Sequence, residues 1–241
     1  MEKAYKLLSI QEHISNKKAK ALIDEGRVSC NGKQITIART ELAKTSVLTI
    51  AHTPTPKIIF EDTQILAIDK PPFLESYQLA KMFAGWSLLH RLDKETSGVI
   101  LLIKENSPFH IEAKQAFKKQ NVYKEYLALT EGIIAEGCEI QKPILTLKGT
   151  HAKSKISPEG LYALTIIKPL SIIGKKTLLQ AIIKTGRTHQ IRVHLKSIGY
   201  PIIGDTLYGG AKAKRLMLHA HKISLLGYDF TSPLPNDFPA Y

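Results

Sequence analysis

Residues 99–103, Val-Ile-Leu-Leu-Ile, form an unbroken apolar run after Gly98 and a charged, hydroxyl-rich stretch at 90–97. A run this short and β-branched predicts a strand buried on both faces, with the polar stretch as a turn pinned to its end. Other strands follow from alternation and flanking turn residues. Residues 57–60 and 65–69 predict a hairpin around Glu61 and Asp62. Residues 122–130 predict a strand ending near Gly132, and residues 162–169 and 176–184 an antiparallel pair with Gly174 near the turn. Helical spacing appears twice in this part of the chain. Ser107 as N-cap, Pro108 in the first turn and Phe109, Ala113, Ala116 and Phe117 on one face predict the first helix. For the second, Gly186 permits a sharp strand-to-helix turn, Thr188 is the expected cap, and Ile191, Leu195 and Ile198 face the core. Arg192 and Lys196 then share the opposite side as a basic pair, and Gly199 with Pro201 ends the helix. Residues 133–160 are Lys-rich and weakly patterned, with turn signals at Gly149 and at 158–160, and support no functional reading.

The first fifty residues read as a small module of their own. Ser15 is a good N-cap, Ala19, Leu22 and Ile23 keep helical spacing, and Gly26 stops the helix. Residues 27–30 are strand-like, Asn31-Gly32 is a type I′ hairpin signal, and residues 33–37 return. Lys17, Lys18 and Lys20 start the helix, where the dipole does not favour them but an incoming phosphate would be welcome. Thr53-Pro54-Thr55-Pro56 is a stiffened connector and places a domain boundary between residues 1–52 and 53–241.

The net charge of +13 changes the picture from a generic globular chain to one with phosphate-rich partners or an anionic membrane surface. Residues 1–50 hold nine Lys and Arg against five Asp and Glu, so +4, which leaves +9 for the remainder. A spread excess suits an extended polyanion better than a single basic tail would. Hydrophobic residues at 44% are enough for a core. Cys30 and Cys138 make neither a disulfide framework nor a zinc ligand set. The first residues lack the apolar core of a signal peptide, and no apolar run approaches the roughly 18–20 residues that cross a bilayer, so a soluble, cytoplasmic protein is expected. His189, His194, His219 and His221 could be read as metal ligands, but cations surround the first two, and no metal is expected. No Gly-rich phosphate loop is present, which argues against a nucleotide-driven enzyme.

Asp93 lies at the middle of the polar turn, with Arg91 and Lys94 beside it to favour its ionised form. Such a carboxylate can be a nucleophile, a base, or a structural acceptor for Ser97 and nearby amides. His90-Arg91-Leu92-Asp93-x-x-Thr96-Ser97-Gly98 resembles the signature loop of the RluA-type RNA pseudouridine synthases. Lys124-x-Tyr126 resembles that family's second signature, and Gly186-Arg187-x-His189-Gln190-Ile191-Arg192-x-His194-Leu195 its third. The likeness continues through Gly199-x-Pro201-x-x-Gly204-Asp205-x-x-Tyr208-Gly209, Arg215-Leu216-Met217-Leu218-His219-Ala220 and Ser232-Pro233-Leu234-Pro235-x-Asp237-Phe238, covering nearly all of residues 57–238. One loop departs. Where the family usually has Lys-Pro-x-Gly and then His-Pro, this chain has Lys70-Pro71-Pro72-Phe73 and then Glu75-Ser76. The order of elements in residues 1–50 resembles the S-four-like RNA-binding module, named for a small-subunit ribosomal protein.

The resemblance implies an α+β fold: a mixed, mainly antiparallel sheet catalytic domain with flanking helices, plus the small N-terminal S-four-like α/β module. It implies isomerisation of uridine in structured RNA, in which the glycosidic bond breaks and the base rejoins through carbon five, with no cofactor. A stacked uridine must first be flipped out, at a cost of about a few kcal/mol. By resemblance Asp93 acts on the flipped base, Tyr126 packs against it as a candidate for proton transfer, and Arg187 holds Asp93 in an ion pair. An unperturbed tyrosine, pKa about 10, is a poor base at neutral pH, so stacking is the better role for Tyr126. Arg91 would fill the gap left by the base, with His90 beside it as an RNA contact. Leu218 would wall the base pocket, and Lys17, Lys18, Lys20 and Arg192 would meet RNA. Large-subunit ribosomal RNA is the favoured partner, because an S-four-like module commonly accompanies that specificity, and transfer RNA stays open. No membrane and no obligate protein partner are expected, and a monomer is the default. Two rival readings are a non-catalytic RNA-binding protein that keeps the fold, and an RNA hydrolase. The latter would usually need a second carboxylate, and the side chain of Glu95 is expected to point away from Asp93.

Overall fold

The computed structural model describes residues 1–51, 55–147 and 153–239. Its contacts divide the chain into two compact units, Met1–Pro54 and Thr55–Tyr241. The connector expected at Thr53 to Pro56 lies partly, and the turn expected at Gly149 wholly, outside the described residues.

In the first unit, β1 (Glu2–Lys3) leads into α1 (Ala4–Gln11) and α2 (Asn16–Asp24), followed by β2 (Val28–Cys30), β3 (Lys33–Gln34), β4 (Glu41–Leu42) and β5 (Leu48–Ile50). Ser15 caps α2 by accepting from the Lys18 amide at 3.2 Å, and Gly26, at φ +68°, ends it. Asn31 and Gly32 lie at φ +49° and +75°, as a type I′ turn requires. The strand expected over 33–37 stops after Gln34. Ala4, Leu8, Ala19, Leu22, Ile23, Val28, Ile35 and Leu48 form this unit's core. The helix α1 was not anticipated, since eight residues give too short a stretch for a period to be recognised. Lys17 and Lys18 are exposed, whereas Lys20 lies over the Tyr5 ring at 4.4 Å.

The second unit is built on a ten-stranded sheet. Its strands include β6 (Lys57–Glu61), β7 (Ile65–Lys70), β8 (Trp86–Leu88), β9 (Ser97–Lys104), β10 (Tyr123–Glu131) and β11 (Cys138–Gln141). A separate hairpin, β12 (Ile144–Leu147) with β13 (Lys153–Ile156), precedes β14 (Leu164–Ile173), β15 (Lys176–Ile183), β16 (Leu218–Leu225) and β17 (Tyr228–Thr231). The main order is β11-β14-β15-β10-β16-β9-β7-β6, with β8 paired to β9 and β17 to β16. Among the described residues only the β9–β16 pairing is parallel; the sheet is otherwise antiparallel, the mixed α+β architecture expected. Three helices flank it: α3 (Ser76–Ala80), α4 (Pro108–Lys118) and α5 (Gln190–Ser197).

The apolar run 99–103 is almost wholly buried within β9, as its lack of alternation requires. Gly98 permits the parallel pairing. It sits opposite Ala220 at φ +112°, and a Cβ there would lie 2.2 Å from the Ala220 carbonyl oxygen. One helix start differs from expectation. Thr188 does not cap α5; the N-cap is His189, at φ +55° with no side-chain cap. Gln190 Oε1 instead takes the Thr185 hydroxyl at 2.6 Å and the Arg187 amide at 3.0 Å, bracing the turn from inside.

Candidate active site

The turn before β9 is held from beneath by two side chains of the divergent loop. Lys70 is fully buried, and its Nζ donates to the carbonyls of Pro71, Leu74 and Lys94 at 3.0, 2.9 and 3.2 Å. Burial pulls its ammonium down to about 7, against the attraction of Asp93 and Glu75. Ser76 Oγ donates to the Leu92 carbonyl at 2.8 Å and accepts the Leu92 amide at 3.1 Å. The substitution of Glu75-Ser76 for the usual pair therefore gives the turn a brace one residue before Asp93. At the far end Ser97 Oγ meets His219 Nδ1 at 2.9 Å and accepts from Arg215 at 3.1 Å, and Arg215 grips Asp237 with two bonds of 2.6 and 2.7 Å.

Asp93 does not pair with Arg187. Its partner is Arg192, whose Nη1 lies 3.2 Å from Asp93 Oδ2. The same nitrogen is 3.4 Å from Glu95 Oε2, while Nε and Nη2 hold Asp205 in a bidentate pair at 2.8 Å each. Arg192 is buried, so it is not the exposed RNA contact that its helical position suggested. One turn of α5 places it towards the β9 turn, where three carboxylates offset its desolvation. Burial opposes its charge, but the bonds to Asp205 and the charges of Asp205, Asp93 and Glu95 hold it more firmly protonated than a free guanidinium. Glu95 thus shares a cation with Asp93 rather than pointing away, and burial raises its carboxyl. Arg187 lies across the cleft, its Nε donating to the Tyr162 carbonyl at 3.0 Å.

Tyr126 sits on β10 opposite Ala181 of β15 and Ala220 of β16, where the register shifts between Glu125 and Tyr126. Such a bulge re-aims a side chain, and Tyr126 lines the cleft with Asp93, Arg187, His189 and Leu218. Burial, then the charge of Asp93, push its phenol well above the ordinary value, which keeps it protonated at neutral pH. Leu218 is buried against the same space. Arg91 is exposed at the rim, its guanidinium 5.7 Å from the Tyr77 ring and its Nη1 3.3 Å from the Tyr77 hydroxyl. His90 is placed differently from expectation. Its Nε2 accepts the Leu101 amide at 3.1 Å and its ring stacks on Phe117 at 5.3 Å, so it braces β9 instead of offering a cation. Burial pulls it to about 3.

His189 Nε2 lies 3.8 Å from Asp93 Oδ2, and its Nδ1 is 2.9 Å from the Tyr208 hydroxyl. Asp205, Tyr208, Lys70 and His189 had no role assigned from sequence. Asp205, Tyr208 and His189 stood inside motifs of the resemblance and Lys70 in its Lys-Pro pair, which was the available signal. No group of metal-ligating residues occurs among the described residues.

Comparison with known proteins identifies the family. The family model for RNA pseudouridylate synthase matches residues 67–197, more than half of the chain. A Helicobacter pylori protein named an uncharacterized RNA pseudouridine synthase is 65% identical over 99% of both chains. Ribosomal large subunit pseudouridine synthase D of Vibrio cholerae is 30% identical over 81% of this chain and 69% of its own. Ribosomal large subunit pseudouridine synthase C of Rickettsia bellii is 38% identical over 71% and 64%. Among solved structures, human RNA pseudouridylate synthase domain containing 1 superposes with a TM-score of 0.65 at 27% identity, covering 75% of this chain and 84% of that one. With its signature loops gathered around one cleft and its relatives so named, the chain belongs to the RluA-type family of RNA pseudouridine synthases.

Proposed function

We propose that this synthase isomerises one or more uridines of large-subunit ribosomal RNA, with Asp93 as the reacting carboxylate. The observation that carries this reading is the placement of the Asp93 carboxylate. It is 27% exposed and faces a cleft walled by Tyr126 and Leu218, with the buried Arg192 holding it from behind. A carboxylate fixed on a rigid element, facing a cleft with one aromatic and one aliphatic wall, suits attack on, or proton removal from, a nucleotide drawn out of its helix. Tyr126 and Leu218 pack the two sides of the uracil, and Arg91, exposed at the rim, enters the vacated stack. Arg187 faces the same cleft and meets the substrate rather than Asp93. The reaction rearranges the atoms of one nucleotide, so it consumes no cofactor.

The names of the Vibrio cholerae and Rickettsia bellii relatives favour ribosomal RNA as the substrate. We assign the first unit, as an S-four-like module of about residues 1–52, to RNA binding: exposed Lys17 and Lys18 stand at the start of α2, where backbone amides also attract phosphate. Residues 53–241 then form the catalytic domain, and the cytoplasm, where ribosomal RNA is modified, is its compartment.

Carbodiimide labelling with primer extension tests the reading. RNA from wild-type cells, a deletion strain and the deletion complemented with Asp93→Asn would be compared. Loss of one mark in large-subunit RNA in both altered strains is the expected result. Loss in transfer RNA would move the substrate, and a mark that persists in the Asp93→Asn strain would remove Asp93 from the chemistry.

A further inference from the structure

The hydrogen bonds around His189 fix which of its nitrogens carries the proton. Ser154 is 1% exposed, and both its backbone groups go to one hydroxyl. Its amide donates to Tyr208 Oη at 2.9 Å, and Tyr208 donates its only hydroxyl proton to the Ser154 carbonyl at 3.1 Å. A buried carbonyl left without that proton would cost about 1–3 kcal/mol, so the hydroxyl has none to spare for His189. At 2.9 Å from the same oxygen, His189 Nδ1 must therefore be the donor. In the neutral ring this leaves Nε2 with a bare lone pair. That atom lies 3.8 Å from Asp93 Oδ2, too far for a direct hydrogen bond, and lines the same cleft as Asp93, Tyr126 and Leu218.

Burial keeps the ring neutral against its two acidic neighbours. Asp93, Asp205 and Arg192 face it; burial holds the imidazole below its ordinary value, Asp93 and Asp205 oppose this, and Arg192 supports it. A neutral imidazole oriented by its second nitrogen is the arrangement of a general base.

We propose that His189 is the base that takes the proton from carbon five of the uracil after that carbon has joined the sugar. The inference rests on the reading of this cleft as a uridine isomerase site. When carbon five bonds to C1′ it still carries its hydrogen, and the ring is left with a C6=N1 double bond. The proton passes to His189 Nε2, and the C–H electron pair becomes the C5=C6 double bond. The C6=N1 pair moves onto N1, which takes a proton from solvent, and His189 later returns its own. No electron is gained or lost; one proton has moved from carbon five to N1. Asp93 is thereby left for the sugar, and Tyr126, held as a neutral phenol, is not needed as a base.

His189→Asn is the suitable variant. Asparagine tolerates the φ of +55° found at this position, and its amide can still donate to Tyr208. The probe is an unmodified large-subunit ribosomal RNA transcript made with uridine or with 5-deuterouridine, and product is followed by mass spectrometry of the RNA. The expected result is unchanged RNA affinity, product formation slower by roughly 10²–10⁴-fold, and a primary deuterium isotope effect absent from wild type. Rates near wild type would overturn the assignment, as would slowing that is equal for both transcripts. A variant that fails to break the glycosidic bond also contradicts it, because a base acting in the last step leaves cleavage intact. Wild-type protein that changes no uridine in this transcript or in a transfer RNA pool would overturn the isomerase reading itself.

Discussion

At the scale of single residues, one guanidinium sets the electrostatics of the site. Arg192 faces Asp93, Glu95 and Asp205 at once, and its own burial is tolerable only because they do. Arg192→Met leaves these carboxylates uncompensated. It should lower stability by about 3–5 kcal/mol in urea unfolding and abolish activity. Arg187→Ala gives up one bond to a backbone carbonyl, worth about 1 kcal/mol, and should weaken activity on RNA while leaving the fold intact. Equal stability losses in the two variants would contradict this division. Burial gives His219 a different signature, pulling it to about 4, with its Nδ1 against Ser97. Its folded pKa lies below the unfolded value of 6.5, so the unfolded chain binds a proton first as pH drops. Stability from this residue is therefore present near neutral pH and lost between about 6.5 and 4, on the order of 3 kcal/mol. Urea midpoints at pH 7 and 4.5 would register the fall, and His219→Gln should make it smaller; an unchanged pH dependence would refute the assignment.

At the scale of elements, the site depends on how β9 meets β16. Their parallel pairing spans His219 with Ser97 and Ala220 with Gly98, bringing the Asp93 turn beside Leu218 and Tyr126. Gly98→Ala would drive a methyl into the Ala220 carbonyl at a φ of +112°. Loss of well over 1 kcal/mol is expected, together with loss of activity, and thermal unfolding with an activity assay would check both. Strands such as β9 and β10 were legible because their burial leaves a continuous or alternating apolar pattern in the sequence. The four-residue strands β12 and β13 were not, since strands this short give too few repeats to show a period, and the side chain buried in β13 is the polar Ser154. Nor was the cap of α5. Thr188 is the usual residue type for that position, but Gln190 satisfies the turn from within, and tertiary hydrogen bonds outweighed the local preference.

At the scale of the molecule, a net charge of +13 attracts an RNA independently of the few groups that do chemistry. Substrate binding and reaction are thereby separable. The sequence carried the site in part: Asp93, Tyr126, Arg91 and Leu218 line or rim one cleft, as their motifs implied. It misplaced the cation, because Arg187 and Arg192 stand five positions apart in one signature and only the packing of α5 decides which is turned inward. It also hid the roles of Lys70 and His189, which come from burial and from partners far along the chain. Conversion of uridine by Asp93→Asn protein in a single turnover tests the central claim most directly, with RNA affinity measured on the same preparation. Exchanging one carboxylate oxygen for an amide removes the reactive group and keeps its shape. The account predicts affinity within about threefold of wild type, since one tenfold step needs about 1.4 kcal/mol, and no pseudouridine. Product at a rate approaching that of the wild type would contradict it.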